Sequence, residues 1–233
     1  MDKYSILKQY YGHSAFRAGQ EELIDSILSG RDALCVMPTG GGKSLCYQIP
    51  ALLLPGITLV VSPLISLMKD QVAALKSAGV PAAYINSSLT SEQIRTVYAR
   101  TRKGAYKLIY VAPERLETNS FLSLMQEMDV SFLAVDEAHC ISQWGQDFRP
   151  SYLGIVDFIN ALPRRPIVAA YTATATKQVQ SDILRLLQLQ SPYRIVTGFD
   201  RPNLYFDVRR PKNKFSALAA LIDERRGRSG IVY

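Results

Sequence analysis

The order of residues predicts an α/β domain, with a central, mostly parallel sheet and helices on both faces. Three observations carry that prediction. Five short runs, "ALCVM" (33–37), "TLVV" (58–61), "KLIYVA" (107–112), "FLAV" (132–135) and "PIVAAYT" (166–172), are too apolar to show either face to water, and they are rich in β-branched and aromatic residues. Amphipathic stretches of helical period alternate with them, as a sheet covered on both faces requires. Three of those stretches close on a glycine just past the last periodic residue, at Gly30, Gly79 and Gly104, a common helix stop.

In chain order, "RAGQEELIDSILSG" is a helix ahead of the first strand, and "KSLCYQIPALLL" a helix after it. "LISLMKDQVAALKSAG" follows the second strand, and "SEQIRTVYARTRKG" precedes "KLIYVA". Gly, Asp, Pro and Asn gather in "GFDRPNL" (198–204), which marks a boundary between residues 1–200 and 201–233. Beyond it, "YFDVRR", a helical "FSALAALIDERRG" and "SGIVY" read as the opening strand–helix–strand of a second α/β domain, truncated there.

Composition excludes several classes. Of 233 residues, 48% are hydrophobic and 20% charged, which argues against a disordered chain. No apolar run reaches the length of a membrane span, and "MDKYSILKQYYGH" lacks the layout of a secretory signal. Cys35, Cys46 and Cys140 form no CxxC pair, so neither a disulfide framework nor a zinc site is expected. A cytoplasmic location is expected, nucleoid-associated if the source is bacterial. Net charge is +7, and residues 199–233 carry eight Lys/Arg against four Asp/Glu, which favours an anionic partner.

"VMPTGGGKSLCYQIP" joins the first strand to a helix. Thr39 and the glycines Gly40, Gly41 and Gly42 form a loop whose backbone N–H groups can surround phosphate oxygens. The helix N-terminus adds its positive dipole, Lys43 reaches terminal phosphates, and the Ser44 hydroxyl is placed to ligate Mg²⁺. Met37 stands where the strict phosphate-loop pattern has glycine. "FLAVDE" supplies the other half: Asp136, at the carboxyl end of a buried strand, holds Mg²⁺ directly or through water. Glu137 can then orient or deprotonate a water attacking the γ-phosphate.

The acids open "DEAHCISQWGQDFRP" (136–150), which also holds Trp144, the only tryptophan. Its neighbours are polar or glycine, without helical or strand period, so Trp144, Phe148 and Arg149 suit stacking on unpaired bases. Ser62 with the backbone around Pro63 and Leu64, and Arg115 after Pro113, follow strands at the same sheet edge and can hold phosphodiester oxygens.

"MPTGGGKS", "SPLISLMKDQ", "APERL", "DEAHCISQWGQDFRP", "TATAT" and "FDRPNL" occur in an order and spacing that resemble the RecQ family of superfamily 2 DNA helicases. The resemblance covers essentially the whole chain, and methionine at 37 fits it. It implies RecA-like domains, the first complete and the second truncated. It implies ATP with Mg²⁺, and adenine contacts from Arg17 and Gln20 of "FRAGQ" (16–20), with His13 and Tyr11 as the aromatic candidates beside the base. His139 would bridge the ATP site to Thr172 or Thr174, and the aromatic loop would sense single-stranded DNA and switch on hydrolysis.

The expected activity is therefore that of a 3′-to-5′ DNA helicase of repair and recombination, acting on single-stranded and forked DNA without a membrane. A single-stranded-DNA-binding protein or other repair partners would engage regions beyond residue 233. In this superfamily the γ-phosphate arginine comes from the second domain, so this chain alone is expected to bind nucleotide weakly, hydrolyse it slowly and not unwind. Two alternatives are an RNA helicase or duplex translocase, which the aromatic loop disfavours, and a non-catalytic ATP- or DNA-binding module.

Overall fold

The computed structural model describes residues 1–198 and 204–232. Residues 199–203, which hold most of the expected "GFDRPNL" boundary, and Tyr233 lie outside the described residues. Two compact units, Met1–Phe199 and Asp200–Tyr233, divide the chain.

In the first unit, β1 (Ala33–Val36), β2 (Ile57–Val61), β3 (Ala82–Ile85), β4 (Leu108–Val111), β5 (Val130–Val135), β6 (Ile167–Thr172) and β7 (Tyr193–Val196) form one sheet. Its order is β3-β4-β2-β5-β6-β1-β7, and every pairing is parallel. All five predicted strands are present. The two that prediction omitted, β3 and β7, are the edges. In β7 the alternating exposure of Tyr193, Arg194, Ile195 and Val196 lacks the unbroken apolar run of a central strand, whereas β3 is buried apart from the half-buried Tyr84.

The helices are α1 (Lys3–Tyr11), α2 (Gln20–Leu28), α3 (Lys43–Leu53), α4 (Ile65–Ser77), α5 (Ser91–Arg102), α6 (Pro113–Leu116), α7 (Asn119–Gln126), α8 (Gly154–Ala161) and α9 (Lys177–Leu186). Successive strand residues point to opposite faces, which divides the core in two. Ala33 and Cys35 of β1 pack with Leu23 and Ile27 of α2, Tyr47 of α3 and Met68 and Val72 of α4. Leu34 and Val36 join the opposite layer, with Phe121 of α7, Phe158 of α8 and Ile183 of α9.

At the amino ends of the strands, the buried Asp32 carboxylate takes two bonds from Arg165, at 2.6 and 3.1 Å, and one each from the Val168 and Gln190 N–H groups. That pins β1 to its neighbours and leaves the carboxyl ends to carry the loops.

The second unit contains α10 (Lys214–Glu224), as predicted, and α10 buries no residue. "YFDVRR" and "SGIVY" were expected as strands, but their described residues form none. A strand is stable only beside another, and neither segment pairs with a neighbour among the described residues.

Candidate functional site

The topology sets β6 between β1 and β5, so three carboxyl ends lie in a row. β1 runs into the glycine loop, β6 ends at Thr172, and β5 delivers Asp136. A cavity of about 410 Å³ opens there, within the range of small-molecule sites. Arg17, Gln20, Thr39, Gly40, Gly42, Lys43, Ser44, Asp136 and Glu137, all predicted, line it. Leu45 and Leu67 line it too, and neither carried a sequence signal beyond ordinary helix apolarity.

Gly40 and Gly42 have positive φ, at 80° and 86°, which turns the loop into the N-terminus of α3. A Cβ on Gly41 would lie 2.5 Å from the Met37 side chain, so the buried Met37 fills the space beneath the loop. The Lys43 ammonium donates to the Met37 carbonyl at 2.9 Å and is folded over the loop.

Gln20 was expected to contact adenine. Both ends of its amide are engaged by backbone in this structure. Nε2 donates to the carbonyls of Gly41 and Gly42 at 3.2 Å, and Oε1 accepts from the Arg17 N–H at 2.9 Å. Gln20 braces the loop, while the exposed Arg17 bonds to the Gly40 carbonyl. Of the two aromatic candidates, His13 lines the cavity mouth; Tyr11 is largely buried, and burial pushes its phenol up.

Asp136 is buried, and burial together with the neighbouring Glu137 charge pushes its carboxyl up to about 6. Glu137 adopts a left-handed backbone, φ 47°, ψ 45°, a strain of about 1–2 kcal/mol for a residue with a Cβ. Its surroundings impose that conformation: Asp136 N–H donates to Val61, Cys140 N–H donates to Glu137, and the buried Tyr152 hydroxyl donates to the Asp136 carbonyl at 2.8 Å.

The His139 Nδ1 lies 3.3 Å from Glu137 Oε2 and 2.9 Å from Thr172 Oγ1. Thr172 Oγ1 donates in turn to the Thr174 carbonyl, so its lone pair faces Nδ1–H. The bridge therefore runs through the Thr172 hydroxyl, and Thr174 contributes only its carbonyl. The Cys140 sulfur and the Glu137 carboxylate push His139 up to about 10, and His139 in turn holds Glu137 below the usual carboxylate value.

From Glu137 the chain passes through a 3₁₀ turn, Ala138–Ile141, into the aromatic loop. Trp144 projects with 75% of its surface exposed, whereas Phe148 is half-buried. Arg149, expected to face bases, works as a tether: Nη1 donates to the Pro63 carbonyl at 3.1 Å, and the guanidinium also pairs with Asp147. Ser62 is buried and its hydroxyl closed off, so a direct phosphodiester contact from it is not open in this conformation. Arg115 is half-buried on α6.

Sequence reasoning passed over the residues that fix the loop's feet. A Cβ on Gly145 would lie 2.2 Å from the His139 carbonyl, so only glycine lets the loop double back there. Ser142 and Asp182 form a buried hydrogen bond, 2.7 Å, across 40 residues of chain, which no local pattern announces.

Residues 17–182 match the model of the DEAD/DEAH box helicase family. The chain belongs to that family. Among curated relatives, this DEAD/DEAH box protein is 49% identical over 230 residues to "ATP-dependent DNA helicase RecQ" of Bacillus subtilis (strain 168), covering 98% of the chain and 39% of the relative. The protein of the same name from Haemophilus influenzae is 49% identical over 229 residues, 98% of the chain and 37% of the relative. The chain thus spans under two-fifths of these relatives' length. Solved helicases share the fold: "DUF1998 helicase MrfA" at TM-score 0.70, 18% identity, 96% of this chain and 37% of that one. The Pyrococcus furiosus Hef helicase domain matches at TM-score 0.60, 21% identity, 77% of this chain and 38% of that one.

Proposed function

We propose that this chain is the ATP-binding half of a RecQ-type DNA helicase motor, in which a base stacked on Trp144 sets the state of the nucleotide site. One observation carries the reading: a single loop joins the cavity acids Asp136 and Glu137 to an exposed tryptophan. The near-half identity to relatives named ATP-dependent DNA helicase supports the substrate pair, ATP and DNA.

The donor set fits magnesium and triphosphate. Two adjacent acids, one raised by burial beside the other, are the excess negative charge a divalent cation would offset. Ser44 and Asp136 would hold the ion, and bound magnesium would neutralise phosphate charge. Lys43, released from Met37, takes the terminal phosphates, with Thr39 and the loop glycines around them. Glu137, kept ionised by His139, orients the attacking water and accepts its proton. His139 ties that carboxylate to Thr172 at the end of β6. Arg17 and His13 stand at the mouth where adenine would lie.

On the nucleic acid side, Trp144 offers the stacking face, Arg149 fixes the loop against Pro63, and Arg115 is a phosphate-contact candidate. The intact protein would move 3′-to-5′ along single-stranded and forked DNA in repair and recombination, in a cytoplasmic or nucleoid setting, with other repair proteins as partners. ATPase of the full-length protein with and without single-stranded DNA tests the reading. DNA should raise the rate, and Trp144→Ala should bring that stimulation ratio toward one. A ratio that Trp144→Ala leaves unchanged would contradict the reading.

A further inference from the structure

We infer that Asp182 is a positioning residue for single-strand sensing, which through Ser142 fixes the backbone from which Trp144 projects. The inference rests on the reading of Trp144 as a base-stacking residue. Ser142 is fully buried, and its hydroxyl has one proton to give. That proton goes to Asp182 Oδ2 at 2.7 Å, which leaves a lone pair for the Trp144 N–H at 3.2 Å. An ionised carboxylate only accepts, so it dictates the direction of the hydroxyl and, through it, the Trp144 peptide.

The other Asp182 oxygen takes Arg185 at 3.0 Å, a largely exposed arginine on the same helix. Three residues after Ser142, Gly145 packs against the His139 carbonyl with no space for a Cβ, so the loop has little room to settle elsewhere.

Asp182 also ties the loop to a second switch point. It sits on α9, and the segment 173–176 joins α9 to β6, whose last residue Thr172 bonds His139. Trp144 and His139 are therefore both referenced to β6–α9, one through Ser142 and Asp182, the other through Thr172. A base that pulls Trp144 pulls on α9, and α9 is continuous with the residue that touches His139. Asp182 does not line the nucleotide cavity, so its effect on DNA response separates from nucleotide affinity.

Trp144 is the only tryptophan, so its fluorescence reads the loop in this chain directly. Asp182→Ala and Ser142→Ala should each lower Trp144 anisotropy. Each should also weaken the midpoint of quenching by an oligothymidylate about tenfold, the scale of one lost hydrogen bond to a charged group. Affinity for a fluorescent ATP analogue should stay within about twofold of wild type, and Asp182→Asn, which keeps an acceptor oxygen, should recover most of the loss. If Asp182→Ala fails to fold, Ser142→Ala carries the test, because it leaves the Asp182–Arg185 pair in place.

A wild-type response to oligonucleotide that Asp182→Ala and Ser142→Ala leave unaltered would overturn the inference alone. So would a parallel fall in nucleotide affinity, the mark of a general structural defect. A wild-type Trp144 signal blind to oligonucleotide would overturn the base-stacking reading and the inference with it.

Discussion

The phosphate loop and the aromatic loop leave the same edge of one sheet, yet they are built in opposite ways. The phosphate loop is closed on itself: Lys43 holds Met37, Gln20 holds Gly41 and Gly42, and Arg17 holds Gly40. The aromatic loop is fixed at its feet, by Ser142 on Asp182, Arg149 on Pro63 and Tyr152 on Asp136, and its Trp144 side chain stands in solvent. On the proposed reading, Lys43 would leave Met37 to take a phosphate at the first, while the second already presents a face for stacking. Nucleotide binding at the first would exchange internal hydrogen bonds for phosphate contacts. Base stacking at the second would add a contact worth about 1–3 kcal/mol, with little to break.

The largest expected effect separates the proposed hydrolytic role of Glu137 from base stacking at Trp144. Glu137→Gln in the full-length protein should lower ATP turnover by about 10²–10⁴, the range for a lost general base, while Trp144 quenching by single-stranded DNA persists in this chain. Retained turnover would remove Glu137 from its role, and lost quenching would show that Glu137 also positions Trp144.

A smaller effect lies in pH. Asp136 has a folded value raised to about 6, so its neutral form favours the fold, and that contribution fades as pH rises from the usual carboxylate range through 6. A divalent ion needs the ionised form. Thermal stabilisation by Mg²⁺ should therefore appear above pH 6 and shrink below it, with affinity falling about tenfold per unit. His139, raised to about 10, contributes stability that is complete below the ordinary histidine value and lost as pH climbs through 10. No step near 6.5 is expected from it. A Mg²⁺ effect that is flat between pH 5 and 7 would show that Asp136 does not hold the ion.

The same contrast explains what could be read without coordinates. The glycine run, Lys43 and the strand-end acid announce themselves, because phosphate chemistry demands those types at that spacing. The five central strands do too, since burial on both faces leaves an unbroken apolar run. β7 was missed because its exposed residues interrupt the apolar run, and among the described residues the two segments read as strands in the second unit pair with no neighbour. Gln20 and Arg149 were recognised as important, but not the backbone groups that hold them in this structure. Residue type does not say whether an amide or a guanidinium faces a ligand or a backbone carbonyl. Ser142–Asp182 was invisible, because α9 and the aromatic loop meet only in the fold.

Stacking at Trp144 and nucleotide at Lys43 should be energetically linked through the segment 136–144. Trp144 fluorescence titrated with oligothymidylate, with and without saturating Mg²⁺ and a non-hydrolysable ATP analogue, measures that link on the chain as it stands. The DNA midpoint should shift by about fivefold or more, and the analogue's affinity should shift by the same factor when DNA is saturating, as linkage requires. Identical DNA midpoints with and without nucleotide would mean that the two loops share a sheet edge and nothing else.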